Sequence, residues 1–307
     1  MKKAIVTGAN GFLGKAMVEH LLKEGFFVYA IGTNQKDLDD IKSPNLDVQI
    51  GFYDKYHEII SRCKGADYLF HFAWQGLCGD DIKDYRTQLY NASIFGDVMT
   101  YAIESDIKRV VLASSVNVLE AKKQMLDVCP RPRNTCIYST AKLAAEMIGK
   151  TIAFRNAKVE FLCAYIAMAF GPNNKSLMVP NVVISKLMQG ISPDLINGDS
   201  PYDLIYVDDI VKGLLSIALK GKNLKSYYLG HENLLSFRDI FTKVGEIINP
   251  KIKLNFGAYP DSSEIDYSKI DISALKNDTG FSCSSDFESS ILKTAEYLKG
   301  ANYLKKV

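Results

Sequence analysis

The chain has 307 residues, 47% of them hydrophobic and 23% charged, which is typical of a folded globular protein with one main domain and an appended lobe. Its net charge of +2 does not favour nucleic acid as a partner, so we expect a small-molecule substrate. No apolar run has the length of a membrane span, and Gly8 interrupts the first run too early for a signal segment, which predicts a cytoplasmic protein with no membrane contact.

Short apolar runs alternate with helical patterns through the first 170 residues. Predicted strands cover residues 4–6, 27–31, 48–50, 68–73, 109–113 and 160–168, and predicted helices cover residues 12–23, 84–104 and 138–154. Because parallel strands need right-handed connections of helical length, this alternation predicts an α/β fold with a doubly wound parallel sheet.

The pattern changes in the last third of the chain. Helices are predicted at residues 177–190, 211–219 and 236–248, with a short strand at 204–206. We therefore assign residues 1–170 to a dinucleotide-binding domain of Rossmann type. Residues 171–307 are assigned mainly to a smaller α/β substrate-binding lobe that is interleaved with the main sheet.

The six cysteines lie far apart in the sequence. They form no C-x-x-C pair and no cluster with the four histidines. This spacing predicts reduced, mostly buried thiols and no metal site.

A glycine-rich turn joins the first predicted strand to the first predicted helix. It reads Thr7-Gly8-Ala9-Asn10-Gly11-Phe12-Leu13-Gly14. At this spacing the first glycine permits a tight turn, the second lets the backbone approach a pyrophosphate, and the third lets helix and strand pack closely. The turn predicts a dinucleotide site.

The residues after the second predicted strand bear on which dinucleotide binds. An acidic residue that holds the ribose hydroxyls of NAD is usual there, but this chain has Thr33, Asn34 and Lys36, whose donors suit a 2′-phosphate. We therefore predict NADP(H) in preference to NAD(H). Asp37 lies close in sequence and keeps NAD(H) as the alternative.

Two side chains on one predicted helix favour proton transfer. Tyr138 and Lys142 are four residues apart and share a helix face. A phenol titrates near pH 10 unaided, so its use at neutral pH needs a nearby cation. Ser114 and Ser115 end a predicted strand, and a hydroxyl at the carboxyl end of a parallel strand faces the ligand crevice. We predict Ser115, Tyr138 and Lys142 as the catalytic residues.

The chain resembles the extended short-chain dehydrogenase/reductases that act on nucleotide sugars. The resemblance covers nearly the whole chain and rests on seven matches in the family's order. These are Thr7 to Gly14, Asp67-Tyr68-Leu69-Phe70-His71-Phe72-Ala73, Asn91, Ser114-Ser115, Tyr138-Ser139-Thr140-Ala141-Lys142, Phe170-Gly171-Pro172-Asn173 and Asp203-Leu204-Ile205-Tyr206-Val207-Asp208-Asp209.

The resemblance implies hydride transfer between C4 of the nicotinamide and a sugar carbon. Tyr138 would move the hydroxyl proton, Lys142 would hold the ribose and lower the tyrosine pKa, and Ser115 would orient the sugar oxygen. His71 is interpreted as a packed strand residue. From the motif and the resemblance together, the residues expected at the cofactor are Gly8, Asn10, Gly11, Phe12, Leu13, Gly14, Thr33, Asn34, Lys36, Tyr53, Asp54, Phe72, Ala73, Asn91, Tyr138 and Lys142.

The substrate-facing positions depart from the family pattern. Trp74 stands where a second alanine is common, and it either walls the sugar pocket or fills a loop. Tyr165, Met168 and Tyr202 replace the family's arginine, asparagine and second arginine, so fewer cations remain for a diphosphate. The residues expected at the substrate are Trp74, Ser114, Ser115, Tyr165, Met168, Asn173 and Tyr202.

These observations favour a reductase that uses NADPH to reduce a 4-keto nucleotide-diphosphate sugar to a deoxysugar. The alternative is a nucleotide-sugar 4-epimerase with tightly bound NAD, and a more remote one is a non-catalytic NADP-binding regulator. A dehydratase is disfavoured because Val116-Asn117-Val118 follows Ser115 in place of an Asp-Glu pair. The family resemblance also implies a homodimer that pairs through the helices at 84–104 and 138–154.

Overall fold

The computed structural model describes residues 1–77, 79–126, 132–133, 135–260 and 265–301. The strands in chain order are β1 (Lys3–Thr7), β2 (Phe27–Gly32), β3 (Leu46–Ile50), β4 (Tyr68–His71), β5 (Arg109–Ser115), β6 (Glu160–Ile166), β7 (Met168–Phe170), β8 (Asp194–Ile196), β9 (Pro201–Tyr202), β10 (Leu204–Tyr206), β11 (Ser226–Leu229), β12 (Leu235–Ser236) and β13 (Asn255–Tyr259). The helices are α1 (Phe12–Lys23), α2 (Tyr56–Arg62), α3 (Tyr85–Glu104), α4 (Val118–Leu126), α5 (Cys136–Arg155), α6 (Val179–Met188), α7 (Val207–Lys220), α8 (Phe237–Ile248), α9 (Ala274–Thr279) and α10 (Phe287–Gly300).

Seven parallel strands form the central sheet in the order β11-β6-β5-β4-β1-β2-β3. This confirms the predicted doubly wound Rossmann-type α/β fold. The inner strands are apolar and buried almost without interruption, as in residues 4–7 of β1 and 110–114 of β5, because helices cover both faces of a parallel sheet. Ligands of such sheets bind where the strand order reverses, which here is the carboxyl end of β1 beside β4.

The last third of the chain contributes both to the main sheet and to a group of smaller strand pairs. β11 extends the edge of the main sheet beside β6. The strand pairs β7 with β10, β9 with β12, and β8 with β13 lie apart from that sheet. A second apolar cluster includes Phe170, Phe241 and Leu298. The division of the chain at residue 170 stays a prediction.

The observed elements differ from the predicted ones where local patterns are weak. The apolar run predicted as one strand at 160–168 is divided into β6 and β7, and α7 begins at Val207, four residues before the prediction. Helices α2 and α4 and the strands β8, β9, β12 and β13 are short and were not predicted. Their few residues carry too little periodicity to identify them without their packing partners.

Four cysteines lie in the described part of the chain, and all four are free. Cys63 and Cys163 are buried, whereas Cys136 and Cys283 are partly exposed. The predictions for Cys78 and Cys129 lie outside the described residues. Across the same described part, no group of histidine, cysteine and acidic side chains is placed to hold a metal ion, and no helix there is long and apolar enough to cross a membrane.

Candidate active site

The glycine turn follows β1 and lies against the end of β4. Gly8 has a φ of +68°, and a Cβ on it would lie 2.7 Å from the backbone nitrogen of Ala73. A Cβ on Gly14 would lie 2.1 Å from the carbonyl oxygen of Gly8. Both positions therefore require glycine, because a side chain would strike backbone that cannot move cheaply.

Helix α1 begins at Phe12, with Leu13 in its first turn. Gly11 caps it in an extended conformation, and no side chain accepts hydrogen bonds from the first backbone amides. Uncapped amides at a helix N-terminus attract a phosphate group. The cradle around Gly8 and Gly14 and these free donors fit the pyrophosphate of a dinucleotide.

Asn10 connects the glycine turn to the end of β2. Its Oδ1 accepts a hydrogen bond from the Thr33 backbone amide at 3.0 Å, and its Nδ2 lies 3.4 Å from an oxygen of Asp37. Asn34 caps the following short helix by accepting from the Lys36 amide at 3.1 Å. The structure thus places the Asp37 carboxylate at the corner where an adenosine ribose binds in this fold.

Asn91 on α3 fixes the loop after β4. Its Oδ1 accepts from the Gln75 backbone amide at 2.9 Å and from the Tyr53 hydroxyl at 2.8 Å, while its Nδ2 donates to the Gln75 carbonyl at 3.0 Å. Burial raises the pKa of Tyr53 well above its usual value, so this phenol stays a hydrogen-bond donor. Asn91 therefore supports the loop, and Asp54 beside Tyr53 is exposed.

Residues 72 and 73 continue from β4 toward the turn. The Phe72 amide donates to the Thr7 carbonyl at 3.2 Å, and the Ala73 amide lies 3.4 Å from the Thr7 hydroxyl oxygen. His71 is buried and its Nδ1 lies 2.9 Å from the same hydroxyl. Burial, followed by the charge of Lys142, lowers the pKa of His71 to about 3. His71 is thus a neutral packed residue, as predicted.

Ser115 and Tyr138 meet at the carboxyl end of β5. Burial raises the pKa of Tyr138 to about 12, and a side-chain hydrogen bond with Ser115 counters part of that rise. The neighbouring Ser114 hydroxyl is buried and has no hydrogen-bond partner among the residues that the structure describes. At neutral pH the Tyr138 phenol is therefore protonated, and the Ser114 hydroxyl can accept a hydrogen bond from a bound ligand or donate one to it.

Lys142 lies one turn further along α5 and is also buried. Its Nζ donates to the carbonyl oxygen of Ala113 at 2.9 Å and lies 5.9 Å from the centre of the Tyr138 ring. Burial lowers the pKa of Lys142 to about 7. The predicted set of Ser115, Tyr138 and Lys142 is thus brought together beside the end of the glycine turn.

Trp74 contacts both members of the Tyr-Lys pair. The Lys142 Nζ lies 3.7 Å from the centre of the Trp74 ring, and the Trp74 and Tyr138 rings pack edge to face with centroids 6.3 Å apart. The Trp74 Nε1 donates to Oε1 of the buried Gln88 at 2.8 Å. Of the two roles left open by the sequence, these contacts favour a wall beside the catalytic residues.

Of two further predicted substrate residues, Tyr165 is packed into the protein interior and Tyr202 is partly exposed. Tyr165 is 1% exposed, donates a short hydrogen bond to Glu146 and accepts one from Lys122 at 2.8 Å. Tyr202 packs edge to face against Phe237 with centroids 5.1 Å apart. Tyr165 thus contacts Glu146 and Lys122 within the fold, and its role at the substrate stays a prediction.

The other predicted substrate residues lie at the edge of the C-terminal lobe. Met168 begins β7, where its backbone amide donates to the Asp203 carbonyl at 3.3 Å. Asn173 is exposed and has a φ of +69°, in the left-handed region that asparagine tolerates. Neither side chain has a described contact with Tyr138 or Lys142, so their role at the substrate stays a prediction.

A carboxylate that sequence analysis did not single out supports the start of the catalytic helix. Glu120 on α4 is fully buried. It accepts hydrogen bonds from Arg133 Nε at 2.9 Å, Thr135 Oγ1 at 3.0 Å and Ser139 Oγ at 3.1 Å. Ser139 directly follows Tyr138, so this cluster fixes the first turn of α5. The sequence feature that could have identified Glu120 is its position as an acidic residue within the otherwise apolar run Val118-Leu119-Glu120-Ala121.

A cavity of about 440 Å³ lies in the C-terminal lobe, away from the catalytic side chains. Tyr202, Ile240, Lys243 and Phe287 are among its lining residues. None of Ser115, Tyr138 and Lys142 lines it. The cavity therefore belongs to the lobe, and one of the predicted substrate residues, Tyr202, lines it.

The seven-stranded parallel sheet, the glycine cradle and the paired Tyr138 and Lys142 define a short-chain dehydrogenase/reductase of the extended class. The chain belongs to the NAD dependent epimerase/dehydratase family, whose model matches residues 4–230. The family resemblance predicted from the sequence is confirmed.

Comparison with known proteins gives distant relatives. The chain is 26% identical over 221 residues to the mouse sterol-4-alpha-carboxylate 3-dehydrogenase, decarboxylating, and this match covers 69% of the chain but only 58% of the mouse protein. The UDP-glucose 4-epimerase of Thermotoga maritima, solved with UDP-glucose, has a TM-score of 0.74 at 20% identity, over 98% of this chain and 99% of that one.

The Bacillus cereus UDP-glucuronic acid 4-epimerase, solved with UDP-glucuronic acid and NAD, has a TM-score of 0.79 at 17% identity, covering 97% of this chain and 99% of that one. Identities this low establish the shared fold. Substrate and reaction therefore have to be argued from the residues of this chain.

Proposed function

We propose that this protein is a nicotinamide-dependent oxidoreductase that acts on a nucleotide-diphosphate sugar. The observation that carries the proposal is the arrangement of Ser115, Tyr138 and Lys142 beside the glycine cradle: the Ser115 side chain lowers the pKa of Tyr138, and the Lys142 Nζ lies 5.9 Å from the Tyr138 ring. A buried phenol next to a buried cation is suited to moving a hydroxyl proton.

Ser115, Tyr138 and Lys142 have separate roles in the proposed reaction. Ser115 donates a hydrogen bond to the reacting sugar oxygen, and Tyr138 takes the proton of the sugar hydroxyl or returns it. The positive charge of Lys142 stabilises the phenolate, which burial alone would disfavour. When bound, the nicotinamide accepts a hydride from the sugar carbon or supplies one. Lys142 also holds the nicotinamide ribose.

Within this class we favour a 4-epimerase that keeps NAD bound. The Asp37 carboxylate lies 3.4 Å from Asn10 Nδ2, at the ribose corner of the cradle. A carboxylate there accepts hydrogen bonds from ribose hydroxyls and repels a 2′-phosphate. The T. maritima and B. cereus 4-epimerases share the fold of this chain, and the choice of an epimerase rests on Asp37.

The NADPH-dependent 4-keto reductase predicted from the sequence is the second candidate. Thr33, Asn34 and Lys36 are all exposed next to Asp37, so an ammonium, a hydroxyl and an amide remain available to a 2′-phosphate. A reductase consumes its cofactor and must release it, whereas an epimerase regenerates it in every cycle. Cofactor retention therefore separates the two candidates.

The test is to denature the purified protein, identify the released dinucleotide, and then assay UDP- and dTDP-linked hexoses. We expect about one NAD per chain and interconversion of C4 epimers without added cofactor. Release of no cofactor, together with NADPH oxidation by a 4-keto nucleotide sugar, would establish the reductase. If the enzyme turns over only ketones that carry no nucleotide, the nucleotide-sugar proposal is refuted. If it turns over none of the substrates, the non-catalytic regulator is favoured.

We further propose that the protein is a homodimer that pairs through α3 and α5. These helices lie side by side and present exposed apolar side chains: Leu89 is 50% exposed, Met147 55% and Phe154 79%. Large exposed apolar side chains on adjacent helices are typical of a protein interface.

We expect sedimentation of the wild-type protein to give twice the chain mass of 34.2 kDa, and Phe154→Glu to give the single mass because it places a charge in the apolar interface. Leu292→Glu on α10, where the leucine is 47% exposed, is the matched control and should remain dimeric. A wild-type monomer at micromolar concentration would contradict the proposal.

A further inference from the structure

Trp74 is the single tryptophan of the chain, and it lies between the two halves of the catalytic pair. The Lys142 Nζ is 3.7 Å from the centre of its ring. The edge-to-face contact with Tyr138 brings the two ring centroids within 6.3 Å. Trp74 is 9% exposed, so these contacts are largely shielded from water, where cation–π attraction is strongest.

The surroundings of Lys142 supply little opposite charge. The titratable groups that face it are His71 from β4, Cys163 from β6 and Tyr138 from its own helix. Burial holds the pKa of His71 down to about 3 and raises that of Cys163 well above its usual value. All three are therefore neutral at pH 7, and the negative face of the indole ring is the favourable partner of the ammonium besides the Ala113 carbonyl.

A hydrogen bond to Gln88 holds the indole ring of Trp74 in place. Gln88 is fully buried, accepts from the Trp74 Nε1 at 2.8 Å and donates through its own Nε2 to the Gly76 carbonyl at 2.7 Å. The same amide nitrogen lies 3.1 Å from the Asp81 carbonyl. Gln88 thus ties the ring to the loop after β4, and the ring cannot turn without breaking these bonds.

We propose that Trp74, fixed by Gln88, is a positioning residue whose ring face keeps the Lys142 ammonium charged and next to Tyr138. This inference deepens the proposed function, and it rests on that function only for its kinetic consequence. A residue that merely filled the loop would leave the charge of Lys142 unchanged. The two roles can therefore be separated by following the protonation of Lys142.

The direct test follows Trp74 fluorescence of the purified full chain between pH 5 and 9, with its cofactor content measured. Since Trp74 is the only tryptophan, all indole emission reports on this site. We expect one transition with a midpoint near the Lys142 pKa of about 7, because His71, Cys163 and Tyr138 do not titrate in that interval. Lys142→Met should abolish the transition, and Lys158→Met, which removes an exposed lysine after α5, should leave it unchanged.

Removing the Gln88 anchor of the Trp74 ring should shift the midpoint of the fluorescence transition to lower pH. Burial already lowers the pKa of Lys142 because it disfavours the charged form. The contact with the Trp74 ring opposes this effect, so weakening that contact should lower the Lys142 pKa further. We expect Gln88→Met, which retains Trp74 but removes its anchor, to shift the midpoint down by about half a pH unit or more. Thermal unfolding shows whether the variant is folded. A flat emission profile in the wild type, or an unchanged transition in Lys142→Met, would overturn the proposal.

The kinetic test uses substitutions of the ring itself. The alkaline limb of the pH–activity profile reports the titration of Lys142. In Trp74→Leu this limb should move down by roughly one pH unit. In Trp74→Phe it should move by less, because a phenyl ring attracts a cation more weakly than indole does. A lower kcat with an unmoved limb would refute a positioning role. If the enzyme turns over no sugar but the fluorescence transition behaves as expected, the proposed function fails and this inference stands.

Discussion

Replacing Tyr138 with phenylalanine is expected to lower turnover by about 100-fold to 10,000-fold, the range contributed by a positioned proton donor or acceptor. The substitution removes only the phenol hydroxyl, whose pKa the Ser115 side chain lowers. The ring contact with Trp74 is retained, so the fold and the position of Lys142 should be preserved. Turnover at substrate saturation and cofactor affinity are the quantities to measure, and the affinity should change little.

The pH dependence of the wild type sharpens this prediction. Burial raises the pKa of Tyr138 to about 12 and lowers that of Lys142 to about 7. As the pH rises through the Lys142 pKa, the cation that stabilises the phenolate is lost, so the activity should fall above about pH 7. In Tyr138→Phe the small remaining activity should lack this dependence, because no phenolate forms.

Tyr259→Phe provides the matched control, since it removes the same hydroxyl from a tyrosine that is 57% exposed on β13. Its activity should equal that of the wild type. Wild-type turnover in Tyr138→Phe with an accepted sugar would show that another group moves the proton, and the assignment of the catalytic residues would be wrong.

The second large effect concerns the glycine turn. Gly11→Ala is expected to weaken dinucleotide binding about tenfold or more, equivalent to at least about 1.4 kcal/mol, because a methyl group would intrude where the backbone approaches a pyrophosphate. The residue has a φ of −82°, which alanine adopts readily. The nearest protein atom to the added Cβ is the Gly8 carbonyl oxygen at 3.2 Å, a tight contact, so we expect a smaller loss of stability than for Gly14→Ala. Calorimetric titration with NAD and a thermal unfolding curve measure the two quantities.

Gly14→Ala separates binding from folding. Its Cβ would lie 2.1 Å from the Gly8 carbonyl oxygen and 2.8 Å from the Gly8 carbonyl carbon. Backbone must move to relieve that clash, so we expect a melting temperature several degrees lower, as a destabilisation of roughly 1–3 kcal/mol produces in a chain of this size. Unchanged NAD affinity in Gly11→Ala would mean that the pyrophosphate does not bind at this turn.

The residues that sequence patterns identified are those whose chemistry is local. The glycine spacing between Gly8 and Gly14, and the four-residue spacing of Tyr138 and Lys142, are set within one turn or one helix. Their contexts follow from the order of strands and helices. The family, the doubly wound sheet and the meeting of Ser115 with the Tyr-Lys pair could therefore be predicted without coordinates.

The residues that sequence patterns missed act across long separations in the chain. Gln88 reaches Trp74 from α3, and Glu120 on α4 contacts Arg133, which precedes α5, and Ser139 on α5. No periodicity connects such partners, because their approach depends on how the helices pack. For the same reason the hydrogen bonds of Tyr165 with Glu146 and Lys122 could not be predicted from the sequence.

The sequence by itself determined the fold class and supplied the prediction of the catalytic groups, since both follow from short spacings and from the order of strands and helices. The tertiary structure decided the electrostatics around those groups. It placed Asp37 against Asn10 at the ribose corner and Trp74 under the Lys142 ammonium. Charge, burial and distance together set proton affinity and cofactor choice, and all three are properties of packing between segments that are remote in the chain.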